Sequence, residues 1–304
     1  MSPHAALLAD PSAPPLAVCQ GRGTGAASDV GHVRPHNEDA WRIDHATGVM
    51  VLADGMGGYQ AGEVASAMAV AAVIDALPDA LTLGLTAPAP AEVAFEPGDA
   101  PAGLGDLVPA HAAASPAAPL SDPAFAALVR AVELANQSVI SAARQRPECL
   151  GMGTTVVVAW VRGDRLLVAH VGDSRAYRWR CGRLTRLTRD HSIGQAMIDA
   201  GLLREGAASI PAMRGVLTRA LGVDPGLCVD ARSVDLDPGD RILLCSDGLT
   251  DMLDDATIAD CLGQPGSAQD LAEALVVQAL LQGGVDNITA LVLGPLPPGS
   301  HGGG

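Results

Sequence analysis

Two β-hairpins follow one another in this chain, and they limit the folds open to it. Val156–Val161 and Leu166–Val171 are apolar, β-branched runs on either side of Arg162-Gly163-Asp164-Arg165, a tight-turn sequence. Ala176–Arg180 and Arg183–Leu187 then flank Cys181-Gly182. Hairpins in succession make antiparallel strands, so the expected class is α+β and not a doubly wound nucleotide-binding sheet. Ile242–Cys245 and Ile288–Leu293 read as further buried strands. Gly62–Leu77, Pro123–Gln145 and Ala268–Leu281 are Ala-rich, lack internal glycine, and read as helices.

Composition removes several chemistries. All 19 basic residues are arginine, so there is no Schiff-base lysine, no P-loop lysine and no phosphate-binding lysine of a protein kinase. A net charge of −15 argues against nucleic acid as a partner, because such binding rests on neutralising phosphates. The six cysteines form no CxxC pair and read as reduced, mostly buried thiols of a cytoplasmic protein. The first residues lack a basic stretch followed by a long apolar one, and the run Ala65–Leu77 is too short to span a bilayer. The expectation is therefore no membrane partner.

Residues 1–23 and 294–304 are expected to be flexible tails around one domain, 24–293. Within it, about 78–122 reads as a disordered insertion, because its Pro/Ala content shows no apolar periodicity.

The acids fall in a pattern. The strand Val49–Ala53 runs into Asp54-Gly55-Met56-Gly57-Gly58, and Leu167–Val171 into Gly172-Asp173-Ser174-Arg175. Ile242–Cys245 runs into Ser246-Asp247-Gly248, with Asp251 four residues on, while Asp286-Asn287 opens the strand at Ile288. Four buried strands thus carry an acid at one end. Carboxylates gathered there repel and take up protons unless a cation lies among them. An all-oxygen set selects a hard cation, Mg²⁺ or Mn²⁺, over zinc, and such a set can hold two ions about 3.5–4 Å apart for in-line attack on phosphorus. Upstream, Arg34 precedes the acid pair Glu38-Asp39, and a guanidinium grips phosphate oxygens through paired hydrogen bonds. His170 reads as a core histidine, and His36 and His191 as solvated loop residues.

The blocks SDVGHVRPHNEDAW, VLADGMGGYQAGEVAS, GMGTTVVVAWV, LLVAHVGDSRAYRWRCGRLTRLTRDHS, LTRALG, DRILLCSDGLTDML and GGVDNITALVL follow in order from Ser28 to Leu293. In this combination the chain resembles the bacterial branch of the metal-dependent serine/threonine protein phosphatases of the PPM, or PP2C, family. The resemblance implies an antiparallel β-sandwich with helices on both outer faces. It implies two catalytic ions, Mn²⁺ or Mg²⁺, bridged by Asp54 and completed by the Gly55 carbonyl, Asp247 and Asp286. Glu38 and Asp39 would support them directly or through water, and Asp173 and Asp251 would bind a third, weaker ion. Arg34 would hold the substrate phosphate, and a metal-bridging hydroxide would attack phosphoserine or phosphothreonine directly. Phosphorylated proteins and a cognate serine/threonine kinase are the implied partners. Two alternatives stand beside this reading: a catalytically silent phosphoprotein-binding regulator, and a phosphatase of small phosphomonoesters. The chain departs from animal relatives at Met56, where they carry a histidine assigned as general acid. In the segment between Arg189 and Gly222, the family's flap, it has Ile210-Pro211 and Arg214 where bacterial members often carry His-Pro.

Overall fold

The computed structural model describes residues 23–57, 61–82, 123–204 and 215–296. Its strands are β1 (Thr24–Asp29), β2 (Asp39–Asp44), β3 (Val49–Met56), β4 (Gly153–Thr154), β5 (Val156–Arg162), β6 (Arg165–Val171), β7 (Arg175–Arg180), β8 (Arg183–Arg186), β9 (Asp230–Asp235), β10 (Arg241–Cys245) and β11 (Ile288–Leu293). Its helices are α1 (Ala61–Thr82), α2 (Pro123–Gln145), α3 (Ile193–Asp199), α4 (Asp247–Thr250), α5 (Asp255–Gly263) and α6 (Ala268–Leu281). One sheet has the order β1-β11-β10-β7-β8; the other has β2-β3-β5-β6-β9, with β4 paired to β3. Every pairing is antiparallel.

Side-chain alternation sorts these strands into layers. On β3, Val49, Val51 and Ala53 face α1 and α2, while Met50 and Leu52 face the opposite sheet. On β10, Leu243 and Cys245 pack with α5 and α6, and Ile242 and Leu244 turn inward. Both faces of these strands are buried, so their sequences read as unbroken apolar runs. The result is helix, sheet, sheet, helix: the α+β class expected from the hairpins and the sandwich implied by the resemblance. Aliphatic side chains build the middle layer, and the two fully buried large aromatics keep their polar ends paired. Trp160 Nε1 donates to Thr47 O at 3.0 Å, and the Tyr177 hydroxyl donates to Asp255 Oδ1 at 3.2 Å.

Two details differ from the sequence reading. Helix α1 continues past Pro78 to Thr82, into the segment read as an insertion; a proline removes one helical N–H and need not end the helix. Cys149 and Cys245 are buried, but Cys181 and Cys228 are exposed, because one sits in the β7–β8 turn and the other in the loop before β9. The first tail, apart from Gly23, lies outside the described residues, as do 83–122 of the insertion and 297–304 of the second tail. Among the described residues no helix is long and apolar enough to cross a membrane.

Topology also fixes where the acids meet. β3 and β6 both pair antiparallel with β5, so they run in the same direction and end at one edge, at Asp54 and just before Asp173. β10 and β11 are antiparallel, so Asp247 follows the end of one beside Asp286 at the start of the other. The two sheets present these ends to a common cleft.

Candidate metal centre

Asp39 opens β2 directly opposite Asp54 in the β2–β3 register. Its Oδ2 accepts hydrogen bonds from Ser246 Oγ at 2.8 Å and Thr289 Oγ1 at 2.6 Å. Its Oδ1 is buried without a protein partner, and so is Asp247 Oδ1. Leaving a buried carboxylate oxygen unpaired is costly, and either a proton or a cation removes the penalty. Burial first, and then like-charged neighbours, push Asp54 and Asp247 well above the usual carboxylate range. Asp39 is raised to about 6, mainly by burial, and Asp173 to about 6 by burial and then by Asp190. Burial also raises Glu38. Asp173 and Asp251 are among the charges acting on Asp247, so the two acids expected to form a third site lie within electrostatic reach of it.

The backbone around Asp54 is held on both sides. Its N–H donates to Thr155 Oγ1 at 2.9 Å, and its carbonyl accepts from Thr155 N at 2.9 Å and Thr154 Oγ1 at 2.8 Å. Gly55 donates to Glu38 O at 3.1 Å. A Cβ on Gly55 would lie 2.2 Å from Gly62 O, so only glycine allows the chain to pass here. Gly248 is the matching case: its Cβ would lie 2.0 Å from Asn287 O.

Arg34 projects from the loop between β1 and β2. Its Nη2 donates to Asp286 Oδ2 at 2.7 Å, yet 55% of its side chain remains exposed. Asn287, given no role by the sequence reading, fixes this loop. Its Oδ1 accepts from Glu38 N at 2.8 Å, and its Nδ2 donates to Val30 O at 3.0 Å and His36 O at 2.9 Å. The only local hint was an asparagine beside an acid at a strand start, where side chains often bond to backbone.

The cleft so formed encloses about 330 Å³ and is lined by Arg34, Asp54, Gly55, Asp173, Asp247 and Asp286, among others. Glu38 reaches it too, whereas Asp39 lies deeper. Met56 also lines it, and Met56 cannot donate a proton. The donor set is carboxylate and carbonyl oxygen throughout, which fits Mn²⁺ or Mg²⁺. The two unpaired buried oxygens are the independent mark of that fit.

Among the histidines, His170 is in the core, with Nε2 2.8 Å from Arg189 O and its pKa lowered to about 4 by burial. His36 is exposed at the cleft. His191 corrects the sequence reading. It is buried, because its ring stacks on His170 with centroids 4.7 Å apart. Ile210, Pro211 and Arg214 lie outside the described residues.

The Protein phosphatase 2C family profile matches residues 32–276. The serine/threonine protein phosphatase PstP of Mycobacterium tuberculosis is 36% identical over 271 residues, covering 88% of this chain but 44% of PstP. This chain thus spans less than half the length of that relative. The serine/threonine phosphatase stp of Listeria welshimeri is 31% identical over 269 residues, covering 88% of this chain and 93% of stp. Among solved structures, the catalytic domain of PstP in complex with two manganese ions is similar with a TM-score of 0.66 and 34% identity, covering 90% of this chain and 97% of that one. With most of its length matched by the profile and its acids gathered at one end of the sandwich, the chain belongs to the protein phosphatase 2C family.

Proposed function

We propose that this chain hydrolyses phosphoserine and phosphothreonine in proteins with two divalent cations, Mn²⁺ or Mg²⁺, and so reverses the work of a serine/threonine kinase. One observation carries the reading: Asp39 Oδ1 and Asp247 Oδ1 are buried and unpaired, and both acids bear on Asp54, which lines the cleft. The residues that would hold the two cations are Asp54, Asp247, Asp286 and the Gly55 carbonyl. Glu38 and Asp39 would support them, and Asp173 with Asp251 would hold a third, weaker ion. When bound, the cations supply a water acidified for attack on phosphorus.

The chain's own residues supply the rest. Arg34, held by Asp286 at the mouth, offers its exposed guanidinium to the phosphate oxygens. Thr154 and Thr155 keep the Asp54 backbone from shifting as charge moves through the site. Met56 cannot deliver a proton to the leaving oxygen. Residues 24–293 act as one phosphatase domain in this reading. The five unpaired thiols among the described residues support a reducing, cytoplasmic setting. A silent phosphoprotein-binding regulator would have no use for a complete acid set.

The test is phosphate release from a phosphothreonine peptide with Mn²⁺ present and then chelated. Release that stops on chelation is expected. No release by protein carrying bound Mn²⁺ would overturn the reading.

A further inference from the structure

The described residues on either side of 205–214, from Arg189 to Arg204 and from Gly215 to Gly222, meet in a short antiparallel stem. Ile193 N donates to Val216 O at 3.0 Å, Thr218 N donates to His191 O at 2.8 Å, and Ser192 bridges Leu217. Two residues on the return limb, Gly215 and Leu217, line the cleft. The stem therefore determines where that wall of the cleft stands relative to the acids.

Three side chains meet at the foot of the stem. His191, on the outgoing limb, has Nε2 3.2 Å from Asp230 Oδ2 of β9. Arg219, on the returning limb, donates from Nη1 to Asp230 Oδ1 at 2.8 Å and lies 3.2 Å from His191 Nε2. The other ring nitrogen, His191 Nδ1, accepts the Gly172 N–H at 3.2 Å, and His191 N donates to Gly172 O at 2.9 Å. Gly172 immediately precedes Asp173. With Nδ1 accepting from Gly172, the ring proton is assigned to Nε2 facing Asp230, so the Arg219 Nη1 approach to that nitrogen is a packing contact and the guanidinium's hydrogen bond goes to Asp230.

His170, His191 and Asp230 bring ligand-type atoms within 4.8 Å of one another, which has the make-up of a zinc site. The contacts speak against a metal there. His170 Nε2 is used by Arg189 O, His191 Nε2 lies against both Asp230 and Arg219, and the Arg219 guanidinium is the cation already seated against Asp230.

The geometry points to a clamp: His191, Arg219 and Asp230 lock the two limbs of the flap stem to β9 and thereby position the Leu217 wall for a protein substrate. These are positioning residues, acting through Gly215 and Leu217. The inference rests on the phosphatase reading above and adds to it what holds the wall against which a phosphopeptide, more than a small ester, is seated.

The test compares Arg219→Ala, Arg219→Lys and Asp230→Asn with the unaltered chain. Substrates are a phosphothreonine peptide and p-nitrophenyl phosphate, both in saturating Mn²⁺. For Arg219→Ala the peptide KM is expected to rise about tenfold with kcat within about twofold, while KM for the small ester shifts far less. Arg219→Lys should recover part of the peptide effect, because an ammonium still reaches Asp230 but cannot form the same fork. Amide exchange at Ile193 and Thr218, whose N–H groups close the stem, should quicken in Arg219→Ala whatever the activity. If that variant does not fold, Asp230→Asn, which keeps the shape and drops the charge, carries the same readouts.

Equal KM changes for both substrates, or unchanged exchange at Ile193 and Thr218, would overturn the clamp. Stoichiometric Zn²⁺ binding that is lost in Asp230→Asn would also overturn it, in favour of a metal site. Failure of the unaltered, Mn²⁺-loaded chain to release phosphate from either substrate would instead defeat the phosphatase reading.

Discussion

Asp39 and Asp54 face each other across the β2–β3 ladder, and Asp39 turns one carboxylate oxygen to Ser246 and Thr289 while leaving the other buried without a partner. An arrangement that costs free energy in the bare protein is what a cation site requires: charge held ready, with no internal group to satisfy it.

The first prediction follows for Asp54→Asn. Asp54 is itself pushed up by burial and then by Asp39 and Asp247, so replacing it with an amide removes a buried acid that opposes folding, and the chelated protein should melt a few degrees higher, on the order of 1–2 kcal/mol of stability. The same change should reduce the rise in Tm that Mn²⁺ produces and cut phosphopeptide turnover by orders of magnitude. Melting curves with and without Mn²⁺ check the first pair of statements. A Mn²⁺ response equal to that of the unaltered chain would remove Asp54 from the site.

The second concerns pH in the metal-free protein. Asp39 and Asp173 have folded-state pKa values near 6, and Asp54 and Asp247 stand higher still, against roughly 4 for an unfolded aspartate. The folded chain therefore holds more protons than the unfolded chain between those values. This contribution to stability is fully present below about pH 4 and is lost as pH rises through 6 and beyond. His170, lowered to about 4, works in the opposite sense between pH 4 and about 6.5, but it is one group against these four and Glu38, which burial also raises. In chelator, Tm should fall as pH is raised from about 4.5 to about 7, and saturating Mn²⁺ should flatten that slope. A Tm that climbs over the same range in chelator would contradict the buried-acid account.

How much of this could be read from the chain depended on burial and on distance in sequence. β3, β5, β6, β10 and β11 announced themselves because both their faces are covered. β1, β2 and β9 did not: TGAASD, DAWRID and DARSVD are half-exposed edge strands, formed by pairing with β11, β3 and β6 and not by their own propensity. Asp54, Asp173, Asp247 and Asp286 were visible because each sits at or beside the end of a legible strand. His191 was misread because its partners, Gly172, Arg219 and Asp230, are 19 to 39 residues away, and nothing local marks their meeting. Asn287 was passed over for the same reason, since its three bonds reach back some 250 residues.

The third prediction contrasts two glycines. A Cβ at Gly248 would lie 2.0 Å from the Asn287 carbonyl oxygen, a backbone atom that also belongs to the turn carrying Asp286. A Cβ at Gly151 meets nothing, although its φ of +79° strains any other residue. Gly248→Ala should therefore cost about 3 kcal/mol or more and weaken Mn²⁺ binding, whereas Gly151→Ala should cost about 1–2 kcal/mol and leave Mn²⁺ binding alone. Urea unfolding and Mn²⁺ titration of the two variants decide it. Equal losses would mean that the Gly248–Asn287 approach does not shape the centre.

The fourth concerns Arg34. Its ion pair with Asp286 is largely open to solvent, so the pair contributes less than about 1 kcal/mol to folding. Removing the guanidinium should leave Tm within a degree or two. The phosphate, by contrast, loses a charge-assisted, two-pronged partner, which corresponds to a rise in KM of about tenfold or more. Asp286 also loses the cation that holds it, so Mn²⁺ affinity should change by a smaller factor than KM. Arg34→Lys should recover charge but not the fork, and so restore KM only in part. Steady-state kinetics at saturating Mn²⁺, with Mn²⁺ titrations alongside, separate the two effects. An unchanged KM in Arg34→Ala would return this residue to the surface charges, and the phosphate would then have to be held from the acid side of the cleft alone.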